Sequence, residues 1–231
     1  MRYQHQLKTT LLIATVISLA FTIFFSYLQV KSPAATCYSI YNNIIICILT
    51  GCTITLIQAF IGYGNAKREA VLKFYKNTLI LEKMIYDHSV LGRGFSFAKK
   101  GYSEIIQISK YFNDELKLSY VQIYRENKKD SQIQAITIIF NIYHELYLKY
   151  QTMESTLGAA VNFIEMSNEE IKKAGLDEKA ETQKYNSVLA EKMQNIIEEL
   201  SDEKKRKSLN ENNKIIELYL FGKRRVKLSE V

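Results

Sequence analysis

The side chains that could do chemistry in this chain are few and scattered. The three histidines are His5, His88 and His144, and none stands at a metal-ligand spacing from a cysteine or another histidine. His144 precedes Glu145, but HELYL lacks the second histidine that would complete a zinc-protease pair one helical turn later. Cys47 and Cys52 sit in an apolar run as small apolar residues, and Cys37 stands apart from them, read as a free thiol in preference to a bridge to its twin in a second copy. No GxxxxGK[ST] loop is present. The nearest glycine-rich piece is GRGFSFAKKG, residues 92–101, whose glycines with Arg93, Lys99 and Lys100 could hold a phosphate through amides and charge. A basic loop facing anionic lipid head groups is the favoured reading of that segment. No catalytic residue, metal ligand or cofactor-binding residue is assigned, and the chain reads as non-enzymatic.

With no constellation to position, the question becomes which solvent each segment suits. No charged side chain occurs from Thr9 to Val30 or from Ser32 to Ala66, whereas all 24 acidic residues follow Ala66. Of 31 basic residues, only Arg2, Lys8 and Lys31 precede that point. As helices, residues 9–30 would reach about 33 Å and residues 44–64 about 30 Å, each the thickness of a bilayer's hydrocarbon core. Two transmembrane helices are therefore expected. A cleaved secretory signal is the rival for residues 1–30, but its apolar core of about 7–15 residues would be shorter than this run.

Basic residues flank the pair on one side. Residues 1–8 contribute Arg2 and Lys8, Lys67, Arg68, Lys73 and Lys76 follow the second span, and the connecting segment 31–43 carries Lys31 alone. The excess of cations places both termini in the cytoplasm and the 31–43 loop outside. It also assigns Lys67, Arg68, Lys73 and Lys76 to lipid head groups. Tyr38 and Tyr41 fall at the outer boundary and Tyr63 at the inner one, where amphipathic rings are favoured.

Residues 65–231 form a helical cytoplasmic domain in this reading, so the fold class is all-α: a two-helix membrane hairpin, then a helical domain. The second span continues past Lys67 with Leu72, Tyr75, Leu79 and Ile80 at helical spacing, and GRG at 92–94 stops it. A short helical stretch covers about 102–126, and ENKKD follows as a polar loop. Ser131 with Gln134 reads as a capping box opening the core helix, whose apolar residues nearly encircle it at Ile138 to Phe140. Ser167 with Glu170 is a second such box, closed by Gly175. Tyr185, Leu189, Met193, Ile196 and Leu200 mark one helix face. Residues 212–231 read either as a helix ending at Gly222 or as a hairpin turning there.

The net charge of +7 raises nucleic acid as a partner. The excess lies near the membrane, however: residues 65–129 hold 13 basic and 7 acidic side chains, and 130–231 hold 15 and 17. Acidic residues adjoin the runs KKRK (204–207) and KRR (223–225), so direct nucleic-acid binding is not the reading adopted.

The most specific pattern lies in the apolar segments. Ala14, Ser18, Thr22 and Ser26 step by fours, and Cys47, Gly51, Thr55, Ala59 and Gly62 step by four, four, four and three. Small stripes let another backbone approach closely in lipid. Gln58 stands one turn from both Thr55 and Gly62, and an amide at that depth must face a helix or water. The stripes can pack on each other within one hairpin, or one of them, with Gln58, can face neighbouring copies and line a pore.

A double-span anchor carrying a Lys/Asn/Ile-rich helical domain without catalytic groups resembles the two-transmembrane effectors of bacterial anti-phage defence systems, including those encoded with retrons. The resemblance is one of architecture. It implies a quiescent inner-membrane protein restrained by a regulatory protein or ribonucleoprotein on its cytoplasmic domain. Once released, it would form a homo-oligomer, breach the lipid membrane and arrest growth or kill the cell. The other reading is a non-enzymatic scaffold or signalling subunit that recruits a soluble partner.

Overall fold

Residue 140 and its neighbours explain why the helical domain holds together. In the computed structural model, which describes residues 2–32, 36–87, 98–124 and 130–222, they lie in a long helix against which the others pack. The elements in chain order are α1 (Arg2–Lys31), α2 (Thr36–Tyr86), α3 (Ala98–Tyr111), a π-helical segment (Phe112–Lys117), α4 (Leu118–Tyr124), α5 (Ser131–Glu165), α6 (Asn168–Lys173), α7 (Glu178–Ser201) and α8 (Glu203–Phe221). The protein is all-α, with two long apolar helices followed by a helical domain. Contacts divide it into two units, Met1–Glu69 and Ala70–Val231.

Helix α5 is the core helix that its composition implied. Ile133, Ile136, Ile139, Phe140, Tyr143, Leu146, Tyr147, Tyr150, Met153 and Leu157 recur every three or four residues and are all buried, against α3, α7 and α8. It runs on to Glu165. The encircling run is not wholly interior, because Ile138 is exposed. Its start also differs from the sequence pattern. Asp130, not Ser131, is the N-cap, in extended conformation and with no side-chain cap bond. Ser131 already has helical backbone, so its hydroxyl cannot reach forward to the orphan amides as an extended cap residue does. Asp130 instead uses its main-chain oxygen, which accepts from the amides of Ile133 and Gln134, both at 3.0 Å.

The second capping box is present in full. Ser167 Oγ accepts from the Glu170 amide at 3.3 Å, and the Ser167 amide donates to Glu170 Oε2 at 2.8 Å. The Ser167 amide, together with the Ser167 hydroxyl, which also donates to Glu170 Oε2 at 2.8 Å, holds the Glu170 carboxyl below its ordinary range. Helix α6 then ends through Gly175 at φ 68°, a conformation favourable to glycine. Leu189 and Ile196 turn the expected face of α7 inward, with Tyr185, Met193 and Leu200 half-buried beside them. Asp202 ends α7 and caps α8, its carboxylate accepting from the amides of Lys204 and Lys205 at 2.9 and 3.2 Å. Of the two expectations for the tail, the helix holds: α8 ends at Gly222, also at φ 68°. His88, the GRG stop at 92–94, most of the ENKKD segment and the KRR run at 223–225 lie outside the described residues.

Between α3 and α4 the chain widens into the π-helical segment, and side chains fill the loosened turn. Asn77 of α2 is buried, donates to the Glu115 carbonyl at 3.1 Å and accepts from the Tyr111 hydroxyl at 3.2 Å. Asn113 donates to the Ser109 carbonyl and the Tyr147 hydroxyl, at 3.2 and 2.7 Å. Replacing Asn77 with leucine keeps the volume but strips partners from Tyr111 and Glu115. The expected cost is about 1–3 kcal/mol of unfolding free energy, read from urea denaturation of the detergent-solubilised chain. An unchanged midpoint would mean that water serves those groups as well as Asn77 does.

Candidate functional site in the membrane hairpin

Helices α1 and α2 run antiparallel within the first unit, as their cross-contacts require. Near one end Lys8 Nζ lies over the rings of Phe60 and Tyr63, 4.9 and 4.5 Å from their centroids. Near the other end the rings of Phe25 and Tyr41 meet at 5.9 Å. There too Ser26 Oγ donates to Asn42 Oδ1 at 3.2 Å, and Asn42 Nδ2 donates to Gln29 Oε1 at 3.1 Å. Asn42 is buried in this clasp. In an apolar medium such a chain of amide and hydroxyl bonds fixes the register of two helices.

The seam decides which residues are left over. On α1, Ala14, Ser18, Thr22 and Ser26 are all half-covered. On α2 the covered line is Asn42, Ile45, Leu49, Cys52, Leu56, Ala59 and Tyr63, stepping alternately by three and four. That is the spacing of a helix–helix seam. Gly51, Thr55 and Gln58 are off that line and exposed; Ala59 belongs to it and Gly62 flanks it, half-covered. A Cβ built on Gly51 or Gly62 would meet no atom within 4 Å.

Hydroxyl groups along these helices are satisfied locally. Thr15, Thr22, Thr50, Thr53 and Thr55 each donate to the carbonyl four residues earlier, at 2.8–2.9 Å. Gln58 is different. No described residue hydrogen-bonds its amide, which carries two donor hydrogens and an acceptor oxygen. Within hydrocarbon those groups would remain unpaired.

Apart from that face, the surface of the uncharged stretches of both helices is largely apolar. Ile13, Val16, Ile23, Phe24, Ile44, Ile54, Ile57 and Ile61 are all exposed, and almost none of either apolar window is buried. A core helix of a water-soluble domain would bury such residues. The chain carries a hairpin of two apolar helices, each long enough to cross a membrane. No protein-family model matches it, and no curated protein or solved structure proved similar to it.

The four cations assigned to head groups divide between the units. Lys67 is half-covered and Arg68 exposed in the hairpin unit. Lys73 and Lys76 are exposed in the helical unit, where Lys73 Nζ also lies 3.9 Å from the Glu115 carboxylate. An exposed pair of that length contributes little and leaves the ammonium available. Among the described residues no His, Cys, Asp or Glu group could hold a metal ion. His144 is stacked among Phe112, Phe140 and Tyr147, and Cys37 and Cys47 are exposed free thiols. The Asn42 clasp escaped sequence reasoning. Its only sequence signal was a second amide beside an apolar run, opposite Ser26 and Gln29 in an antiparallel pairing.

Proposed function

We propose that this protein is a bacterial inner-membrane effector of anti-phage defence. Released through its helical domain, it assembles into a homo-oligomer and disrupts the membrane, which arrests growth or kills the cell. One observation carries this reading: the hairpin seam is complete without Gly51, Thr55 and Gln58, so a face with an unmet amide remains for other copies or for water. Small residues beside that amide allow close approach, and ringed copies would place Gln58 around a wet axis. The helical domain offers the surface through which a regulatory protein or ribonucleoprotein restrains assembly. The reading also rests on the likeness in plan, a double-span anchor with a helical domain, to two-transmembrane defence effectors. The test is induction of the chain alone in a bacterial host while a potential-sensitive dye is followed. Depolarisation and growth arrest are expected; normal potential and growth with the protein in the membrane fraction would favour the recruiting scaffold instead.

In the proposed orientation both termini are cytoplasmic. Reporter fusions at Ala35 should read outside and those at Val231 inside. Replacing Lys67, Arg68, Lys73 and Lys76 together with glutamine should mix the two orientations, since each basic residue near an anionic surface contributes about 1 kcal/mol. Uniform insertion of the substituted chain would show that other residues set the orientation.

A further inference from the structure

Within the helical domain a cavity of about 340 Å³ opens between the last turns of α2, the middle of α5 and the junction of α7 with α8. Its walls are largely apolar, from Ile85, Ile142, Leu146, Leu200 and Leu209. A cavity of this size accommodates a small organic molecule, and a few polar groups then decide its chemistry.

Most charges at the cavity are already matched. Lys205 bonds both Glu145 and Glu199, and Lys149 Nζ lies 2.7 Å from the Glu199 carboxylate. Burial pushes the Glu199 carboxyl up, but the hydrogen bonds and charges of Lys149 and Lys205 outweigh it and hold the group below its ordinary range. Arg206 lies exposed, where water satisfies a guanidinium.

Glu82 is the exception. Its side chain is half-buried in the cavity wall, and no described residue bonds to it or pairs with it. Burial therefore pushes its carboxyl above the ordinary range. Tyr143, buried in the same wall, has no described hydrogen-bond partner for its hydroxyl. Burial and then the nearby Glu82 charge push that phenol up as well. A carboxylate held away from water without a cation is costly, and a bound cation relieves that cost. Aromatic faces favour the same charge, and Tyr86 supplies a second ring at the cavity.

We propose that this cavity is a binding site for a small amphipathic organic cation, its ammonium group seated by the Glu82 carboxylate and Tyr143, its apolar body along Ile142, Leu146 and Leu209. The proposal does not rest on the membrane-disrupting activity proposed above, since every residue of the site belongs to the helical domain and binding is read directly.

The test uses the full chain in lipid nanodiscs, titrated calorimetrically with phenethylammonium, 2-phenylethanol and 3-phenylpropionate. The three probes share a ring and differ in charge, and comparison with a variant removes their partitioning into lipid. Phenethylammonium should bind at least about ten-fold more tightly than either other probe, the discrimination expected of one charge-assisted contact. Glu82→Gln should remove most of that preference. Because it removes a charge poorly placed in the wall, the variant should melt at or above the wild-type temperature. Equal binding of the three probes, tighter binding of the propionate, or an undiminished preference in a folded Glu82→Gln protein would each overturn the proposal.

Discussion

The Gln58→Leu chain is expected to insert and accumulate like the wild type, yet to lose self-association and the ability to depolarise a membrane. Leucine suits lipid better than an amide, so insertion itself has no reason to suffer. What the proposed assembly would lose is a hydrogen bond between copies, worth roughly 0.6–2 kcal/mol and counted once per subunit in a symmetric ring. Several such terms lost together shift an assembly equilibrium by orders of magnitude. Gly51→Leu should act the same way for a steric reason. Nothing lies within 4 Å of a Cβ at Gly51 in the isolated hairpin, so the added side chain is accommodated there and obstructs only a second copy. Crosslinking in membranes, paired with the potential-sensitive dye after induction, reads both effects. Wild-type crosslinking and depolarisation in the Gln58→Leu chain would leave the hairpin as an anchor and nothing more.

A comparable effect on stability is expected from Phe112→Ala. The ring is 1% exposed and stacks on Tyr147 with centroids 4.3 Å apart and planes 9° from parallel. It also stacks on Phe140 at 5.6 Å. Truncation leaves a void bounded by α5, which cannot collapse without disturbing its contacts with three other helices, so about 3–5 kcal/mol should be lost. The neighbouring Leu118→Ala is the control: that side chain is 57% exposed and its loss should stay within about 0.5 kcal/mol. Urea denaturation of both variants in detergent separates the outcomes. A loss below about 1 kcal/mol at Phe112 would mean that the aromatic layer repacks around the gap.

Features written in local spacing were legible in the sequence. The uncharged runs, the box at Ser167 and Glu170, the inward face from Tyr185 to Leu200 and the stop at Gly222 each depend on neighbours within a few turns. What was hidden depends on partners far along the chain. Asn77 is one polar residue among many until α2 meets Glu115 and Tyr111. Asn42 gains meaning only when an antiparallel α1 brings Ser26 and Gln29 beside it. Glu82 sits on the same long helix as many exposed charges, and its isolation comes from what α5, α7 and α8 leave unfilled. The cap of α5 shows a subtler limit. Asp130 and Ser131 are adjacent candidates, and backbone conformation rather than residue type decides between them.

The widened turn from Phe112 to Lys117 bears on how this chain tolerates changes of length. A π-helical turn absorbs a residue beyond the ordinary helical repeat while the flanking helices keep their faces. Shortening the chain by one exposed residue there, at Asp114, would convert the bulge to regular helix and leave α3 and α4 near their present orientation. The same deletion in the middle of α5 would rotate everything beyond it by about 100° and turn half of the core outward. Single-residue deletions in descendants of this sequence should therefore accumulate in that turn and be absent from the helix it packs against.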